Sequence, residues 1–161
     1  MEPRIQYAKT SDGVSIAYWT IGEGTPLVYT ILGQWSHMQL EWEHPEFRRW
    51  YERLAENRMV VRYDGRGSGL SDREVTDYSL EAHMLDLEAV VGRLGLKKFA
   101  LFALGAIGPA IIAYAARHPE RVSRGPRVAP ERARRRHMPR ERRRRHLAAG
   151  HPVDRVVDED E

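Results

Sequence analysis

A chain of 161 residues, 42% of them hydrophobic, has room for about one domain with its own core. It contains no cysteine, which excludes a disulfide framework and thiolate metal sites. No apolar run is long enough for a membrane span, and the N-terminus lacks the charged-then-apolar pattern of a signal peptide, so a cytoplasmic location is the expectation. The net charge of +3 hides a partition. Residues 1–120 carry 13 Lys and Arg against 16 Asp and Glu, whereas residues 121–161 carry 13 Arg and no Lys against 7 acids.

In chain order, Arg4 to Lys9 alternates apolar and polar residues, as an edge strand does. Ser11-Asp12-Gly13 is a turn, and Val14 to Ile21 is a second strand rich in β-branched and aromatic residues. Gly22 to Pro26 reads as a loop, and Leu27 to Ile31 as a short buried strand. Leu32 to Pro45 has no clean periodicity and reads as a long loop. Phe47, Trp50, Tyr51 and Leu54 recur at helical spacing, which predicts a helix over 46–56. Met59 to Tyr63 is another buried strand, followed by a glycine-rich loop from Asp64 to Asp72. Ser79 to Leu94 is an amphipathic helix with Leu80, Met84, Leu87, Val91 and Leu94 on one face, capped by Gly95.

Phe99 to Ala103 is an apolar run of the kind found in a sheet interior. Gly105 and Gly108 bracket a sharp turn, where missing side chains allow positive φ and close backbone approach. Ile107 to Arg117 is a helix with Pro109 in its first turn, ended by His118-Pro119. Strands alternating with helices imply parallel βαβ units. After Val122 the periodicity stops, and nine arginines fall between Arg132 and Arg145. The expected organisation is a folded body over 1–122 and a disordered arginine-rich tail over 123–161.

Three stretches together resemble the α/β-hydrolase family. Gly33-Gln34-Trp35-Ser36-His37 follows a strand where the family places an oxyanion-hole residue. Asp64-Gly65-Arg66-Gly67-Ser68-Gly69-Leu70-Ser71 is similar to the loop after the family's fourth strand. Leu101 to Val122 is similar to the strand, turn and helix that carry the nucleophile as Gly-x-Ser-x-Gly. The version it most resembles is the bacterial hydrolase domain found with nucleotide cyclase or regulator modules. The resemblance covers 1–122. It implies an incomplete α/β-hydrolase sheet of about five strands with flanking helices, without the lid, later strands, catalytic acid and catalytic histidine of a full member.

The register of the resemblance puts Ala103 at the first motif glycine, Gly105 at the nucleophile and Ile107 at the last glycine. Gly105 has no side chain and cannot attack a carbonyl. The resemblance implies backbone oxyanion donors at Gln34 and Ala106 as a relic. Ser36, Ser68 and Ser71 are loop residues with no base role beside them, and His37 and His118 are a loop and a helix-exit residue. His83 is expected on the surface, and Asp64 and Asp72 as turn and cap residues. His137, His146 and His151 lie in the basic tail. No metal spacing is present and no cofactor is implied. The glycine-rich loop lacks the spacing of a phosphate-binding fingerprint, and Arg66 reads as an arginine that ties neighbouring loops together.

The reading is a truncated protein of the esterase and hydrolase lineage, catalytically inactive. The alternatives are a pseudo-hydrolase that binds a ligand or partner, and a non-specific nucleic-acid or polyanion binder acting through the tail. No aromatics interleave with the arginines to stack bases. Arginine without lysine is also what a GC-rich gene gives when read out of frame, and an out-of-frame tail is the favoured account. Losing the rest of the sheet would leave Phe99 to Ala103 as an exposed edge, which favours self-association.

Overall fold

The computed structural model describes residues 2–32, 36–123 and 127–129. Ten elements follow one another: β1 (Gln6–Lys9), β2 (Ser15–Ile21), β3 (Thr25–Leu32), α1 (Met38–Glu43), α2 (Pro45–Ala55), β4 (Arg58–Asp64), α3 (Leu80–Arg93), β5 (Ala100–Gly105), α4 (Gly108–Arg117) and β6 (Arg127–Ala129). The strands form one sheet in the order β1-β2-β4-β3-β5-β6. β1 and β2 form an antiparallel hairpin, β2 pairs antiparallel with β4, and β4, β3, β5 and β6 run parallel.

Side chains alternate across the sheet, so each inner strand feeds two cores. Val28, Val61, Leu101 and Ala103 face α3 and α4, meeting Leu87, Val90, Val91, Ile111 and Tyr114. Tyr29, Val60, Ala17 and Trp19 face α1 and α2, meeting Trp42 and Tyr51. The second core is aromatic. Trp19 and Tyr51 meet edge to face, with centroids 4.9 Å apart and planes at 89°.

Local chemistry explains the helix ends. Ser79 caps α3, its hydroxyl accepting from the Ala82 N–H at 3.2 Å. At the other end Gly95, at φ +63°, donates to the Gly92 carbonyl, and Leu96 donates to Val91. That pair of bonds is the Schellman arrangement, so Gly95 is the predicted cap.

Several expectations are corrected. β3 begins at Thr25 and takes in Pro26, two residues assigned to a loop. Pro26 is tolerated because it stands at the strand's start, where one ladder donor is dispensable. The expected loop over 32–45 contains α1, too short to show a stripe. Gly108 is not a positive-φ turn residue but the first residue of α4, and only Gly105 of that pair has positive φ. His83 is buried rather than on the surface, 6% exposed.

β5 is not an edge. Arg121 accepts from the Phe99 N–H, the Phe99 carbonyl accepts from Ser123, and β6 then pairs with β5 from Phe102 to Leu104. β6 lies past Val122, in the stretch where the sequence shows no periodicity. Three backbone-paired residues are too few to produce one. The arginine-rich block 132–145 and the histidines His137, His146 and His151 lie outside the described residues.

Candidate functional site: the strand–helix elbow

Three backbone paths converge at the C-terminal ends of β3, β4 and β5. β5 ends at Gly105, whose φ of +76° turns the chain sharply into α4. Non-glycine residues disfavour that conformation, and glycine adopts it freely. Gly105 and Ala106 are exposed, whereas Ile107 and Gly108 are buried, so the turn stands proud of the sheet while the helix is seated behind it. α4 starts without a side-chain cap, at Ile107. Gly105 is registered beside Leu32, the last residue of β3. β3 therefore ends next to the elbow, and the segment after it begins there. Gln34, the other expected oxyanion donor, belongs to it and lies outside the described residues.

That segment is tied down where it returns. Asp64, fully buried at the end of β4, accepts from the Ser36 hydroxyl at 3.0 Å and from the Met38 N–H at 3.2 Å. It also accepts from the Leu70 N–H at 3.1 Å, which fixes the glycine-rich loop to the same carboxylate. A Cβ on Gly69 would collide with that carboxylate, so the glycine there is dictated by the close approach. Asp64 is thus an interior anchor rather than a turn residue. Asp72 accepts from the Ser15 N–H at 2.7 Å and pins the loop to β2.

Beneath the anchor lies a buried charged group that the sequence reading missed. Arg62, fully buried, bonds Glu41 at 2.6 Å, Ser36 at 2.9 Å and the backbone oxygen of Tyr63, and lies 3.3 Å from Asp64. Tyr51 donates its hydroxyl to Glu41. Burial pushes the Glu41 carboxyl up, but the charge and hydrogen bonds of Arg62 and the Tyr51 hydroxyl outweigh it and hold the group below its ordinary range. Only an alternating pattern in β4 hinted at this, since an arginine between Val61 and Tyr63 faces the opposite side from its neighbours.

Arg66 behaves as expected. It is buried and bonds Asp86 at 2.9 Å and Asp12 at 2.8 Å, tying the glycine-rich loop to α3 and to the β1–β2 turn. His83 Nδ1 sits 3.6 Å from Asp86 and lacks a hydrogen-bond partner.

The loop serines are all engaged structurally. Ser36 bridges Arg62 and Asp64, Ser68 donates to the Gly65 carbonyl, and Ser71 donates to the Asp64 carbonyl while accepting from the Ala17 N–H. His37 caps α1, accepting from the Leu40 N–H. His118 ends α4 against the ring of Tyr114. Among the described residues no serine is hydrogen-bonded to a histidine, and no three His, Cys, Asp or Glu side chains are grouped as metal ligands would be. No described helix is long and apolar enough to cross a membrane. Beside the elbow, on the α2 face of the sheet, Tyr29, Glu46, Phe47, Trp50, Phe102 and Leu104 line an apolar groove of about 380 Å³.

No family model matches the chain, and no curated protein does. Solved structures do. An esterase from Rhodococcus sp. is 29% identical with a TM-score of 0.66, over 78% of this chain and 45% of its own. A meta-cleavage product hydrolase from Pseudomonas fluorescens is 25% identical with a TM-score of 0.64, over 74% of this chain and 43% of its own. A hydrolase from Pseudomonas aeruginosa is 24% identical with a TM-score of 0.65, over 75% of this chain and 44% of its own. The chain therefore spans less than half the length of these structures. With a strand order that carries an antiparallel hairpin into a parallel sheet, a positive-φ elbow between β5 and α4, and these likenesses, the chain is an α/β-hydrolase-fold protein.

Proposed function

We propose that this chain is a catalytically inactive member of the hydrolase lineage, acting as a module that binds a ligand or partner at the elbow. The observation that carries the reading is Gly105. It holds the left-handed backbone conformation of the strand-to-helix turn, with no oxygen to deliver there. Acyl transfer needs a nucleophile, a base oriented by an acid, and donors for the oxyanion. Of these, the reading keeps only the last, as the backbone N–H groups of Gln34 and Ala106. A backbone donor at Ala106, exposed at the turn, suits a ligand that presents an anionic or carbonyl oxygen.

The test is turnover and labelling. The purified chain is expected to hydrolyse no ester, amide or epoxide above background and to take up no serine-reactive fluorophosphonate. Turnover that disappears in a Ser36→Ala or Ser68→Ala variant would sink the reading.

A second reading rests on the nine arginines between Arg132 and Arg145. They would hold polyanions non-specifically, with affinity falling steeply as salt rises. Loss of binding on deleting 132–145, with the elbow intact, separates this activity from ligand binding at the fold.

A further inference from the structure

Among the described residues, the sheet face that carries α1 and α2 is incompletely covered. α2 packs on β4, and its Trp50 and Tyr51 reach Tyr29 on β3. Only its margin reaches β5, through Trp50 and Phe102 with centroids 6.2 Å apart. Phe102 and Leu104 are left half-buried at the floor of the apolar groove, and Phe47 stands on its wall 43% exposed. An apolar groove left open by the described residues, beside an exposed aromatic ring, is a combination that two copies can satisfy in each other.

The charges on α2 fit that arrangement. Glu46, Trp50 and Arg53 are spaced four and three residues apart and share one stripe. The carboxylate lies in the first turn and the guanidinium in the last. Two such helices packed antiparallel about a two-fold axis near Trp50 place Glu46 of each beside Arg53 of the other. They also oppose the helix dipoles, whereas a parallel packing would align like charges. The present partners of these two groups are exposed pairs, Glu46 with Arg49 at 3.6 Å and Arg53 with Glu56 at 3.9 Å. Water screens such pairs, so they do not hold the side chains back.

We propose that the groove between α2 and β5 is an isologous interface that receives α2 and Phe47 of a second copy of this chain.

Sedimentation of the full chain over a concentration series tests it. A reversible dimer is expected. Phe47→Asp, at an exposed position where circular dichroism should show an unchanged fold, is expected to weaken it by about tenfold or more. Arg53→Glu alone should weaken it, and Glu46→Arg combined with Arg53→Glu should restore it, because the pair remains self-complementary. A wild-type chain that stays monomeric through the series overturns the proposal. So does association that persists in Phe47→Asp, which would assign it to β6 or to the arginine block. Failure of the double charge swap to restore the dimer also counts against it.

Discussion

Two kinds of residue meet at the end of the sheet, one without a side chain and one whose side chain is entirely enclosed. Gly105 supplies the positive-φ turn and carries no side chain. Gly105→Ser would put a hydroxyl at the elbow, but a serine without a positioned base stays protonated and weakly nucleophilic. The variant is therefore expected to show no turnover and no fluorophosphonate labelling. It should also lose about 1–2 kcal/mol of stability, because a side chain at φ +76° crowds the following carbonyl. Thermal unfolding of the two proteins measures that difference. Arg62 is the opposite case. Its guanidinium offsets two buried carboxylates, Glu41 and Asp64. Arg62→Met would leave both unpaired in the interior, with an expected loss of about 3–5 kcal/mol in urea unfolding. The same group sets a pH dependence. The folded-state pKa of Glu41 lies below its ordinary 4.5, so its contribution to stability is complete above that value. It is lost as the pH falls through the depressed folded-state pKa. The urea midpoint should hold at neutral pH and fall as the pH drops below 4.5, and salt should change this little because the pair is buried.

At the scale of elements, α3 is the best place to see what a sequence conveys. Its stripe and its terminal glycine are legible in the chain and both are in the structure, whereas Ser79, read as the first residue of the helix, stands just outside it as its cap. Gly95→Ala tests the cap in isolation. A Cβ there meets nothing within 4 Å, so the cost is conformational alone, about 1 kcal/mol by thermal unfolding. Gly69→Ala should cost more, because its Cβ meets the Asp64 carboxylate that holds the loop after β3. That carboxylate marks where legibility ends. Asp64 sits in a loop-like run of glycines and looks local. Its partners, Ser36 and Met38, are more than twenty residues away, and no spacing rule connects them. His83 shows the same limit. The helix buries Ala82, His83 and Asp86 as well as its apolar stripe, because Arg66 reaches it from the loop and makes a polar neighbour acceptable inside. α1 was hidden for another reason. It has six residues, capped by a histidine, and one of its buried residues is Glu41. The elbow was legible because a strand, a glycine and a helix are contiguous in the chain.

For the whole molecule the informative fact is where the charge lies. The body through residue 120 has more acids than bases, and the chain then turns to arginine without a single lysine. Among the described residues the sheet carries on past this point with Arg127–Ala129, whose register with β5 runs from Phe102 to Leu104. Backbone pairing is tolerant of sequence, so β6 does not require that these residues were selected for a strand. We propose that the stretch from about residue 123 is read out of frame from a GC-rich gene, since arginine, proline, glycine and alanine have GC-rich codons and lysine does not. A selected basic arm would more often mix the two cations. The check is to translate the same DNA in its two other forward frames from codon 123. One frame should give an apolar strand within its first few codons, in the place β6 now fills, and further on an aspartate at a strand end and a histidine near its own terminus. Two frames that stop early or show no strand periodicity would end the out-of-frame account. The arginines would then have to be explained as residues in use, and the measurement to make is binding of the full chain to duplex DNA across a salt series. A steep linear fall of log affinity with log salt, abolished by deleting 132–145, would give the block its function through counterion release from the phosphates it neutralises.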